Sequence, residues 1–119
     1  MTEAPPTGKT TIAIDVIVTI ASLTTLRVPG VSRFSHTPTP RVKDIFKRDQ
    51  IFEGIVIDIQ DDTVYVDLYI IMDHDVNIRD VCQNIQRDVA RAISEMVGMQ
   101  VGRINIHVED IDYPLEQEA

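Results

Sequence analysis

The sequence predicts an α+β protein, a two-layer sandwich whose mostly antiparallel sheet is covered on one face by two main helices. Three observations carry this. Residues 51–59 and 63–72 alternate apolar and polar with a period of two, on either side of Gln60-Asp61-Asp62. Residues 78–97 carry one continuous apolar stripe at helical spacing. Each pattern leaves one face to be buried, and stacking a sheet on helices buries them all.

The predicted order is β-α-β-(short α)-β-β-α-β. Ile12 and Ile14 alternate in a short strand over residues 10–14, and Asp15 is placed to cap a helix that runs to about Leu26. Val16, Ile17, Ile20, Ala21 and Leu23 or Thr24 fall at helical intervals there, against the β-branched propensity of the segment. Pro29-Gly30 ends that helix, and Val31–Phe34 starts a strand. After the loop SHTPTP, the stretch RVKDIFKR (41–48) sets Val42, Ile45 and Phe46 on one side of a short basic helix. Ile51, Ile55, Ile57 and Ile59 share a face of the next strand, which Glu53 interrupts. Val64, Val66, Leu68, Ile70 and Met72 share a face of the one after, so the two make a hairpin. Asn77 caps the long helix, with Asp80 three residues on, and Gly98 ends it. Its stripe is Ile78, Val81, Cys82, Ile85, Val89, Ala92, Ile93 and Met96. The last strand, 101–108, turns Ile104, Ile106 and Val108 inward, and Arg103, Asn105 and His107 outward.

With 119 residues and 44% hydrophobic side chains, the chain suits one domain over 10–112, with a loose tail at 1–9 and an acidic tail at 113–119. One cysteine, Cys82, allows no intrachain disulfide. The start MTEAPPTGKTT lacks the apolar run of a signal peptide, and the apolar stretch from Ile12 to Leu26 is too short and too polar to span a bilayer. A soluble, cytoplasmic protein is expected, one that a partner can hold at the inner face of the membrane. Net charge is −8 but uneven: residues 33–48 hold five basic residues against one acid, whereas from Glu53 onward fifteen acids face four bases. So acidic a body disfavours general nucleic-acid binding.

Asp73-His74-Asp75 is the most metal-like cluster, yet it lies between a strand and a helix N-cap, where acids and turn geometry are favoured anyway. His36 and His107 are not brought to it by any spacing, so a plain turn is expected and no metal or cofactor. Cys82 sits on an apolar stripe and reads as a small buried hydrophobe. Tyr65, Asp67 and Tyr69 share the outward face of their strand, and Tyr65, Tyr69 and Ile71 leave apolar surface there that suits self-association. No catalytic constellation is found, and the expectation is a non-enzyme.

The segments VPGVSRF, RVKDIFKR, FEGIVI, VYVDLYIIM, IRDVCQNIQRDVARAISEMVG and VGRINIHVEDI occur in an order and spacing that resemble the alkaline shock protein family of small bacterial envelope stress response proteins. IAIDVIVTIASLTT is similar to that family's opening strand and helix, so the resemblance spans about Thr10 to Asp112. VDLYII with its following helix and the closing INIHV run are its most specific parts. The chain departs from the family at His74-Asp75, where an aromatic–glycine pair is usual. The resemblance implies a non-enzymatic protein of cell envelope homeostasis that works through protein partners, can self-associate, and has no family catalytic residues to carry over. Some relatives are associated with fatty acid synthesis genes. The competing expectation is a small nucleic-acid-binding or regulatory module linked to lipid synthesis. The partner-binding element predicted from charge is Arg41, Lys43, Phe46, Lys47 and Arg48, the one basic element of an acidic chain.

Overall fold

The computed structural model describes residues 6–36 and 51–113. It contains α1 (Ile14–Arg27), β1 (Val31–Phe34), β2 (Ile51–Phe52), β3 (Ile55–Gln60), β4 (Thr63–Asp73), α2 (Ile78–Val97) and β5 (Gln100–Asp112). The α+β class holds, and the order from the first helix onward is kept except that the strand expected over 51–59 is broken by a turn at Glu53-Gly54 into β2 and β3, which pair antiparallel. The short basic helix expected at 41–48 lies outside the described residues.

β4 organises the sheet. Along one edge it pairs in parallel with β5 over its whole length, from Thr63↔Gln100 to Asp73↔Asp112. Its other edge is shared end to end by two antiparallel neighbours: β3 takes Thr63 to Leu68 and β1 takes Ile70 to Met72. β2 extends the sheet beyond β3. The hairpin closes at Gln60↔Thr63 through Asp61 and Asp62, both with positive φ (48° and 67°). That backbone matches the twist of its strands, and Asp tolerates it.

The helix-covered face of the sheet is the core. Ile55 and Ile57 of β3 and Val64, Val66, Leu68, Ile70 and Met72 of β4 are almost completely buried. Above them lie Val81, Ile85, Val89 and Ile93 of α2. These four recur at i, i+4, i+8 and i+12, so one stripe covers the sheet. Asn77 Oδ1 accepts from the Asp80 backbone N–H at 3.1 Å, and Gly98, left-handed at φ 77°, ends the helix as expected. Met96 departs from the expected stripe: it is 71% exposed.

α1 differs more. Residues 10–13 do not form the expected strand; the helix begins at Ile14, with Ala13 at the cap position and Asp15 inside the first turn. A carboxylate there is stabilised by the helix dipole without capping. The buried residues are Ile17, Val18, Ala21 and Thr25, while Val16 and Leu23 face outward, about half exposed. The Thr25 hydroxyl is buried and finds no partner among the described residues.

Candidate functional site

The other face of the sheet is open, and its polar residues meet there. β4 contributes Tyr65, Asp67 and Tyr69, and β5 contributes Arg103, Asn105 and His107. The parallel register sets Tyr65 beside Arg103, Asp67 beside Asn105 and Tyr69 beside His107. Asp67 Oδ1 accepts from Asn105 Nδ2 at 3.1 Å and lies 3.1 Å from His107 Nε2. The His107 ring stacks on Tyr69, with centroids 4.3 Å apart and planes 10° from parallel. One carboxylate thus holds two neighbouring β5 side chains, and an aromatic face fixes the imidazole.

Tyr69 answers to this setting. Burial, then the negative charges of Asp67 and Glu109, push its phenol above the ordinary tyrosine range near 10. The neutral ring is therefore favoured by folding. Its stabilising contribution is fully present below the unfolded-state value of about 10 and is lost as pH rises through the folded-state value. In an ultraviolet titration of tyrosinate, one of the three tyrosines should ionise late, and Asp67→Asn should move that step to lower pH. A Tyr69→Phe variant that still shows the late step would assign it elsewhere.

The rest of the face is knitted together similarly. Gly102 leaves room for the Tyr65 ring, because a Cβ there would come within 2.4 Å of it. Arg103 lies over the same ring, 5.4 Å from its centroid. Asp112 reaches across the end of β4 to β1, accepting from Ser32 Oγ at 2.5 Å and pairing with Arg33 at 3.6 Å.

An Asp–His pair can orient an imidazole for proton transfer. Here the flat face of His107 is occupied by Tyr69, and Cys82 stands on α2, across the sheet. Burial pushes the Cys82 thiol upward, away from the thiolate form that attacks electrophiles or binds metals. What this face offers is a broad polar surface with aromatic centres. Tyr65, Tyr69 and Ile71 are only partly exposed, so the apolar surplus expected there is smaller than the alternation suggested.

Asp73, His74 and Asp75 are exposed residues at and after the end of β4, and Asp75 takes the left-handed backbone of a turn at φ 68°. The His74 ring lies 6.1 Å from that of Tyr113, tilted by 38°. His36 is exposed and hydrogen-bonds Glu53. Among the described residues, no three His, Cys, Asp or Glu side chains converge at metal-ligand spacing. Arg41, Lys43, Phe46, Lys47 and Arg48 lie outside the described residues. Sequence reasoning assigned Asp67, Asn105 and His107 to outward faces but missed that they meet. The missing information was the parallel register that sets residue 67 beside 105.

Comparison with known proteins places these features in a family. Among curated relatives, the chain is 27% identical over 106 residues to the uncharacterized protein YqhY of Bacillus subtilis (strain 168), covering 89% of this chain and 78% of that one. It is 28% identical over 105 residues to the uncharacterized protein Spy1535 of Streptococcus pyogenes serotype M6, covering 87% and 79% respectively. Two solved MamM CTD structures share the fold at 14% and 13% identity, with TM-scores of 0.55 and 0.56 over 82% and 83% of this chain and 96% of each of theirs. The model of the alkaline shock protein 23 family, a family with a cell envelope-related function, matches residues 2–113, and the chain belongs to that family.

Proposed function

We propose that this protein serves the cell envelope as a non-enzymatic adaptor, acting through protein–protein contacts and recruited by a partner to the inner face of the membrane. The observation that carries this reading is the open sheet face. Its polar and aromatic side chains bind one another across a broad surface, which suits docking more than enclosing a small substrate. Acids dominate that surface: Asp58, Asp67, Asp73, Asp110 and Asp112 accompany Arg33 and Arg103. Such a face repels a phosphate backbone, so it favours a protein partner over nucleic acid.

The second part of the reading is the basic segment. Arg41, Lys43, Lys47 and Arg48, with Phe46 as the apolar contact, are the docking element for an acidic partner or an anionic surface. Each basic residue contributes only about 1 kcal/mol at an anionic membrane, so four give weak, salt-sensitive binding that needs a partner to become stable. No helix among the described residues is long and apolar enough to cross a membrane.

The test changes Lys43, Lys47 and Arg48 together to Glu. The melting temperature should be preserved, because these charges are assigned to recognition. Localisation in cells and captured partners should both change. A variant that keeps the wild-type distribution and partner set would exclude the basic segment as the docking element.

A further inference from the structure

β5 is 13 residues long, and among the described residues it pairs only with β4. Its outer edge therefore presents backbone donors and acceptors along most of its length. Natural sheets protect such edges with charges, prolines or bulges. β5 has irregularities near each end, where its register against β4 shifts at Val64/Tyr65 and at Ile70/Ile71. Between them, Arg103 to Val108 runs regularly. Ile104 to Val108, INIHV, contains no proline, lysine, arginine or carboxylate. The Ile104 carbonyl accepts from Gln86 Nε2 at 3.0 Å, so it points away from β4. By the two-residue repeat, Ile106 and Val108 present their backbone groups to the same side.

The charges flanking this stretch have opposite signs. Arg103 precedes it, Glu109 follows it, and the two are equally far from Ile106. We propose that β5 pairs antiparallel with β5 of a second copy of this chain, about a two-fold axis at Ile106, making one continuous sheet across both copies. In that register Ile106 opposes Ile106, Ile104 opposes Val108, Asn105 opposes His107, and Arg103 opposes Glu109 on both sides of the axis. A parallel pairing would set Arg103 beside Arg103 and the acids beside one another, which is unfavourable. Sliding the antiparallel register by two residues moves Arg103 opposite His107 or Ile111 and loses both charge pairs. An axis normal to the sheet also keeps helix-covered face with helix-covered face, so the two cores adjoin.

A shallow groove of about 370 Å³ supports the choice of occupant. It runs beside this edge, between α2 and the first half of β5, with Gln86, Ala90, Val101 and Ile104 in its lining. The proposed register brings Val108 and Ile111 of the second copy opposite Ile104 and Val101. In the single chain Val108 and Ile111 are only partly buried. The proposal stands apart from the envelope role and from the basic segment, and holds or fails without them.

Sedimentation velocity of the full chain over a concentration series is the test, with a monomer–dimer equilibrium expected. Arg103→Glu and Glu109→Arg each place two like-charged pairs at the interface, and each should weaken dimerisation by about tenfold. The double variant Arg103→Glu/Glu109→Arg should restore it. A second readout uses Asn105→Cys and His107→Cys, each in a Cys82→Ala background and purified separately. Oxidation of the mixture should give disulfide dimers, and oxidation of either alone far fewer. A chain that stays monomeric at the highest concentration overturns the proposal, as it would if this edge instead took a strand from another protein. So does a dimer as strong in Arg103→Glu as in the wild type, or cross-linking no greater in the mixture.

Discussion

Replacing Ile85 by Asp is expected to unfold the domain. Ile85 is completely buried at the centre of the α2 stripe, with Val81 one turn before it and Val89 one turn after. Its side chain is packed into the cluster that joins both helices to β3 and β4. A carboxylate placed there meets no cation among the described core residues, and burying it unpaired costs several kcal/mol even after it protonates. Domains of this size have only about 5–15 kcal/mol to lose. Ile85→Val, which removes one methylene, should cost about 1 kcal/mol and remain folded. Urea denaturation followed by circular dichroism separates the two. An Ile85→Asp midpoint equal to that of the wild type would show that α2 does not cover the sheet.

Gly54→Ala should give the second large effect, because Gly54 stands where two strands meet on one edge of β4. Its φ is +80°, a conformation that L side chains rarely adopt. An added Cβ would lie 2.8 Å from Phe34 Cβ and 2.8 Å from the Ser35 carbonyl oxygen. The second of these is backbone, so the clash is relieved only by moving β1. The same point is bridged by Tyr69: its N–H donates to the Gly54 carbonyl at 2.8 Å, and its carbonyl accepts from the Ser35 N–H at 2.7 Å. Left-handed strain and overpacking together should cost about 2–4 kcal/mol. Equilibrium unfolding measures this directly. A loss below about 0.5 kcal/mol, the range of an ordinary surface change, would mean that β1 and β3 do not abut as described.

Val108 and Met72 illustrate how much of the fold was legible. The alternation from Val64 to Met72 identified every inward residue of β4, and all five are buried. In β5, the same rule assigned Ile104, Ile106 and Val108 inward, yet of these only Ile104 is buried, because the strand lies at the edge of the sheet. Periodicity reveals which side a residue faces; it carries no information on how far the cover extends. RVKDIFKR, expected as a short helix, lies outside the described residues. The strand expected at 10–14 does not form, since Ile12 and Ile14 find the core as partly buried residues around the start of α1 instead.

The candidate site was legible only in pieces. Asp67 with Tyr65 and Tyr69 was visible as one outward face, and Arg103, Asn105 and His107 as another. Nothing local says that residues 67 and 107 lie within a hydrogen bond of each other, 40 positions apart. Only the parallel crossover through α2, and the register it ends in, brings His107 between Asp67 and Tyr69.

By itself, the sequence determined the fold class, the hairpin at Asp61-Asp62, both ends of α2 and the inward face of β4. Each depends on neighbours a few residues apart: a two-residue or 3.6-residue period, a cap or a turn. Only the tertiary structure decided which side of α1 is buried. That helix carries Val16, Ile20 and Leu23 on one side and Ile17, Val18 and Ala21 on the other, so its composition is apolar nearly all round and its phase follows from contact with α2, β1 and β3. Tertiary structure also decided that β4 takes β1 and β3 on one edge and β5 on the other, since strand order and register are set by contacts distant in sequence.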